Sequence, residues 1–223
     1  MRRSETNLVC GFGTVPGPCR STPLPPQLKV LIMSRIFLIA AVFLTAAVFS
    51  HAQELSEAEK KDGFRPFFDG KTFEGWKTSD KTPKSWKIEG GLLMLTGGGS
   101  HLFTKDSFED FVLRLEWRPA KKGYNSGIFI RGNNQLQMQQ QNCGMLMSNT
   151  KDTKGVPNLH KAPGEWNEWE VVCIGTKASL KVNGTLAWEI DTFKAKKGTI
   201  GIEAEGHAID FKNLRIKVME KKN

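Results

Sequence analysis

An all-β sandwich of two antiparallel sheets is the fold that this 223-residue chain predicts, on three observations. From Phe64 onward, apolar and polar residues alternate with period two in roughly a dozen short runs. Glycine and Asn-Gly turn signals separate those runs at regular spacing. No 3.6-residue apolar repeat falls between them, so the helices of an α/β fold have no place to form. One core, fed by the inner faces of both sheets, then spans residues 64–220, with a closed barrel as the competing architecture.

The segment ELSEAEKKDG is polar and reads as a helical lead-in within residues 53–63. SWKIEGGLLML supplies two strands around Glu89-Gly90-Gly91. In FVLRLEWRP, Phe111, Leu113, Leu115 and Trp117 fall on one face and Val112, Arg114, Glu116 and Arg118 on the other. SLKVNGTLAWEI holds Asn183-Gly184 between alternating runs, a hairpin signal because both turn residues tolerate positive φ. WEVVCIG, GTIGIEAEG and AIDFKNLRIKVM complete the strands. Residues Ser148 to Gly164 lack periodicity and form the longest loop.

The first quarter of the chain stands apart. Ile36 to Phe49 is an apolar run of 14 residues, short of the roughly 20 that a spanning helix needs. Arg35 precedes it and Ser50-His51-Ala52 follows in a small-x-small pattern. Residues 33–52 therefore read as a secretory signal peptide, with translation starting at Met33, residues 1–32 as a spurious upstream extension, and a periplasmic or secreted product. Without residues 1–52 the chain keeps 27 basic and 22 acidic residues, a net charge of +5, scattered rather than clustered. That distribution excludes a nucleic-acid footprint. No integral membrane segment is expected after cleavage. Cys143 and Cys173 would remain in an oxidising compartment, but Cys173 sits in the apolar run EVVCIG and reads as a buried free thiol.

Strand parity gathers polar side chains on an outer face. Glu116 opposes Leu115 and Trp117; Arg131 shares a face with Phe129; Gln137 and Gln139 share another; Glu203 and Glu205 oppose Ile200 and Ile202. If these strands are neighbours in one sheet, carboxylates, amides and a guanidinium make a surface suited to sugar hydroxyls. Every exposed sheet face is polar, however, and cross-strand Arg–Glu pairs alone read as surface complementarity. His160, His207, Trp166 and Trp169 have ordinary loop-capping or core readings beside the functional one.

The pieces GFRPFFDGKTFEGWK, WKIEGGLLML, FEDFVLRLEWRPAKKGYNSGIFIRG, KAPGEWNEWEV, LKVNGTLAWE and IGIEAEGHAIDFKNLRI, in this order, make residues 63–218 resemble the 3-keto-disaccharide hydrolase family, also described as 3-keto-glucoside lyase/hydratase domains. The resemblance implies a concanavalin A-like jelly-roll sandwich in an exported bacterial protein acting on oxidised glycosides. One segment departs from the family pattern of Glu-x-Gln followed by Asp: here it reads Gln137-Met138-Gln139 with Asn142.

A 3-keto sugar allows a chemistry that ordinary glycosidases, with their paired carboxylates, do not use. The ketone acidifies the C2 proton, so a base can remove it and the enolate can expel the aglycone. On parity and motif match, Glu116 is the expected base, or else a ligand to a divalent metal that polarises the ketone. Arg131 is the expected electrostatic clamp and His207, with His160 as its alternative, the group that protonates the leaving oxygen. Asn125, Gln137, Gln139, His160 and Glu205 are the expected carbohydrate-binding residues. The competing class is a non-catalytic glycan-binding module of the cell envelope, which the amide at position 137 suits.

Overall fold

The computed structural model describes residues 55–219, all within one unit of the chain, Phe49–Asn223. The expected signal peptide and upstream extension lie outside the described residues. Helix α1 (Glu57–Lys61) opens the described chain with a capping box, Ser56 and Glu59 each accepting the other's backbone N–H. Thirteen strands follow among the described residues: β1 (Arg65–Pro66), β2 (Trp76–Lys77), β3 (Trp86–Glu89), β4 (Leu92–Leu95), β5 (Leu102–Thr104), β6 (Phe111–Pro119), β7 (Gly127–Ile130), β8 (Asn134–Gln137), β9 (Asn167–Ile174), β10 (Lys177–Val182), β11 (Thr185–Ile190), β12 (Gly201–Ile202) and β13 (Ile209–Val218). A single helical turn, α2 (Thr82–Ser85), leads into β3.

These strands make a jelly-roll sandwich of two antiparallel sheets. The larger has the order β11-β10-β9-β6-β13-β4-β3, with β1 also paired to β13; the smaller has the order β2-β5-β12-β7-β8. Alternation along β6 places Phe111, Leu113, Leu115 and Trp117 in the core, as its sequence period requires. From the smaller sheet, Leu102, Ile128, Ile130, Leu136 and Ile202 meet them. Both expected tight turns form: Gly90-Gly91 at φ 58° and 81° between β3 and β4, and Asn183-Gly184 at φ 50° and 80° between β10 and β11. Cys143 and Cys173 are both free and buried, and burial pushes both thiol pKa values up. Among the described residues no helix is long and apolar enough to cross a membrane.

Candidate functional site

The sheet order separates what parity alone had grouped. Glu116 is on β6 of the larger sheet, whereas β7, β8 and β12 belong to the smaller one, so its outward side chain faces away from theirs. There Glu116 accepts from Asn213 and pairs with Lys212 at 3.4 Å across the β6–β13 ladder. This corrects its expected placement on one face with Gln137 and Gln139: it is one partner in an ion pair on the outer face of the larger sheet. Trp166 lies on the same face beneath Arg118 and Lys212, and Trp169 is fully buried.

Arg131 needs a second correction. Alternation fails at this residue, because it leaves β7 with φ 43°, in the left-handed region. Its side chain is completely buried, donating to the carbonyls of Glu109, Gly175 and Ala195 at 2.6–2.7 Å and to Asp110 at 2.9 Å. A guanidinium with its donors so occupied is a staple joining three loops, with no face left for a substrate. His160 is committed in the same way. Its Nδ1 lies 2.9 Å from the Val156 carbonyl and its Nε2 accepts from Trp169 at 2.9 Å, which fixes a neutral ring; burial depresses its pKa. His207 sits in the turn before β13 with its Nδ1 buried and unpartnered among the described residues.

The remaining expected residues do converge, on the outer face of the smaller sheet, and they bring others with them. Register pairs Phe103 with Gly201, Gly201 with Phe129, and Phe129 with Gln135, which makes one row across β5, β12, β7 and β8. The next row holds His101, Glu203, Gly127 and Gln137: Glu203 donates its N–H to the Gly127 carbonyl, and Gly127 pairs with Gln137. Beyond it come Glu205, Asn125 and Gln139. Asn125 accepts from Gln137 at 3.0 Å, and Gln139 accepts from Asn142 at 3.0 Å.

Glu203 is the centre of this face. It is only 9% exposed, and Gln135 reaches across β7 to donate to its carboxylate at 2.6 Å. Gly127 makes that reach possible, since a Cβ there would stand 2.4 Å from the Gln135 amide. Burial pushes the Glu203 pKa up to about 7, the Glu205 carboxylate two residues away pushes in the same direction, and the Gln135 hydrogen bond opposes them. His101 accepts the Ala204 N–H at its Nδ1, 2.9 Å away, so the neutral ring carries its proton on Nε2. Neither His101 nor Phe103 figures among the expected site residues. The signal was present in Ser100-His101-Leu102-Phe103-Thr104, where Leu102 and Thr104 are buried and His101 and Phe103, which alternate with them, point out.

Such a surface has one poised carboxyl, an imidazole N–H, several amides and two aromatic rings, the equipment for holding a sugar and moving a proton on it. The sequence model of the 3-keto-alpha-glucoside-1,2-lyase-like domain matches residues 63–217. The chain belongs to this family. A 3-keto-disaccharide hydrolase from Bacteroides thetaiotaomicron is 39% identical over 79 residues, a match that covers 30% of this chain and 27% of that relative. Two solved structures from Parabacteroides distasonis, both named as candidate glycosyl hydrolases, share the fold: one at TM-score 0.61 with 20% identity over 75% of this chain and 99% of the other, the second at 0.58 with 21% identity over 70% and 99%. Among the described residues, no three His, Cys, Asp or Glu side chains converge to hold a metal ion.

Proposed function

We propose that the protein is an exported carbohydrate-active hydrolase/lyase that cleaves 3-keto-glycosides, with Glu203 as its base. The observation that carries this reading is the Glu203 carboxyl itself, buried beside a second carboxylate and poised near neutrality on a face otherwise built of amides and rings. Glu203 removes the C2 proton, and the electron pair passes into an enolate on the C3 oxygen, which the His101 Nε2–H stabilises. The enolate re-forms the ketone as C1=C2 forms and the C1–O bond breaks. The leaving oxygen takes the proton from Glu203, whose pKa near 7 suits both halves of the exchange. Water then adds, its oxygen to C1 and a proton to C2, so the net result is hydrolysis. Asn125, Gln137, Gln139 and Glu205 hold the sugar hydroxyls.

Incubation of the purified protein with a 3-keto-glycoside in D2O tests this. The released 3-keto sugar should carry deuterium at C2 beyond the exchange of the product alone; release without it would mean direct attack at C1. Binding without release would support the second reading, a glycan-binding module, which the Gln137–Asn125 amide pair favours. Export rests on the apolar run Ile36–Phe49 and its flanks. A secreted product starting near Gln53 supports it, and one that retains Cys10 or Cys19 does not.

A further inference from the structure

The face around Glu203 is divided in its chemistry. On one side lie Glu205, Asn125 and Gln139, all able to bond hydroxyls. On the other, the row Phe103–Gly201–Phe129 has no side-chain donor or acceptor at its three central positions. Phe103 and Phe129 sit two strands apart, about 9.5 Å in an ordinary sheet, yet their ring centroids are 5.1 Å apart with planes at 30°. Both rings therefore lean inward over Gly201. A Cβ at that position would stand 2.5 Å from the Phe103 ring, so the glycine is what lets the ring settle onto the β12 backbone. The His101 ring, 5.7 Å from Phe129, joins this floor to the Glu203 row. Phe129 is 8% exposed and backs Phe103, which is half-buried.

We propose that the Phe103–Gly201–Phe129 row is the aglycone subsite and that it selects a planar, apolar aglycone over a second sugar. This rests on the reading of Glu203 as the proton-transfer group. With the keto-sugar over the amide row and C1 beside Glu203, the leaving group lies on the rings. An aryl group there stacks on Phe103 and loses no hydrogen bond, whereas a sugar brings hydroxyls to three central positions that have no side-chain partner for them, with Lys77 at the far end as the one donor beyond. Gln135 closes the row on β8, but its amide is turned to Glu203. Lys77 closes it on β2, in register with Phe103.

The test compares Phe103→Ala with the unchanged protein on a 3-keto phenyl glucoside and on a 3-keto glucosyl disaccharide. Taking the variant-to-parent ratio for each substrate cancels the intrinsic reactivity of the two leaving groups. The ratio should fall about tenfold for the phenyl substrate, the loss of one stacking contact, and less than about threefold for the disaccharide. Phe103→Leu, which keeps an apolar side chain, guards against misfolding and should fall between. Saturation-transfer NMR with unoxidised phenyl glucoside, which needs no turnover, should show the strongest saturation on the aryl protons and lose it in Phe103→Ala. Equal losses on both substrates, or saturation centred on the sugar protons, would overturn the proposal. If neither substrate is cleaved, the catalytic reading fails, yet aryl saturation that depends on Phe103 still upholds the subsite. Absence of any phenyl glucoside binding sinks it.

Discussion

The two outer faces of the sandwich are both polar, and they differ in whether their charges are answered. On the larger sheet, and on α1 packed against it, the carboxylates of Glu59, Glu116, Glu168, Glu170 and Asp210 each meet a cation. Glu170 bonds Arg114 at 2.7 Å and Lys181 at 3.0 Å; Glu59 of α1 reaches Arg114 and Arg215; Glu168 meets Arg215 at 2.8 Å; Asp210 meets Arg118 at 2.7 Å. Burial alone would raise the Glu59 and Glu170 carboxyls, but the capping-box hydrogen bonds of Ser56, followed by Arg215, hold Glu59 below the usual range, and Lys181 and Arg114 do the same for Glu170. On the smaller sheet Glu203 has a second carboxylate and an amide for neighbours, and its pKa moves the other way. A balanced face stabilises the fold and has little left to offer a ligand. An unbalanced one spends stability to keep a group reactive, which is where chemistry is to be sought.

If this contrast is right, Glu203→Gln separates the two roles in one variant. Turnover of a 3-keto-glycoside should fall by at least about 100-fold, the lower range for a lost general base. Steady-state release of the aglycone measures it, and retained activity would remove Glu203 from the mechanism. The same substitution should make the protein more stable at pH 8. A carboxyl whose folded pKa of about 7 exceeds its unfolded value contributes its stability fully below the unfolded pKa and loses it as pH rises through the folded one. The cost of ionising Glu203 in the fold is about 1–3 kcal/mol by pH 8. Urea unfolding should show the gain at pH 8 and its absence at pH 4. A loss of stability at pH 8 would mean that the carboxylate is welcome there and the contrast between the faces is false.

The next effect is smaller and concerns Gln135. Its hydrogen bond favours the ionised form of Glu203, so Gln135→Leu should raise the pKa of that base. Because the base acts ionised, the rising limb of the kcat/KM profile should move to higher pH. Gly127→Ala should do the same by another route, since its methyl group occupies the space through which Gln135 passes. A lowered plateau with an unmoved limb in both variants would reduce Gln135 to a packing role.

Much of this molecule was legible residue by residue, and its arrangement was not. The period-two run of β6 and the turns at Gly90-Gly91 and Asn183-Gly184 are local, so sequence carried them into the structure unchanged. Which strands share a sheet is non-local. Glu116 was grouped with Gln137 because nothing in either segment says that β6 pairs with β9 and β13 rather than with β7. Arg131 departs from parity for a subtler reason: alternation holds only while φ stays extended, and one left-handed residue before Gly132 turns an outward side chain inward. The pair Glu203–Glu205 was visible as two acids on one face, but the size of the shift depends on burial, which parity cannot give.

Glu116→Gln is the smallest expected effect and the closest check on the whole contrast. The substitution removes a negative charge from the larger sheet while keeping shape and an acceptor for the Asn213 amide. What is lost is the pair with Lys212, 3.4 Å away on the neighbouring strand and partly exposed, as is Glu116. Exposed pairs of this kind contribute about 0.2–1 kcal/mol, and less in salt. Opposite Glu116 in the β6–β9 register stands Glu168, a like charge whose repulsion also disappears, so the net change should lie at the low end. Turnover should stay within about twofold, since the side chain faces away from the smaller sheet. A loss comparable to that of Glu203→Gln would move the catalytic face to the larger sheet, and a balanced set of ion pairs would then have to be read as a working site.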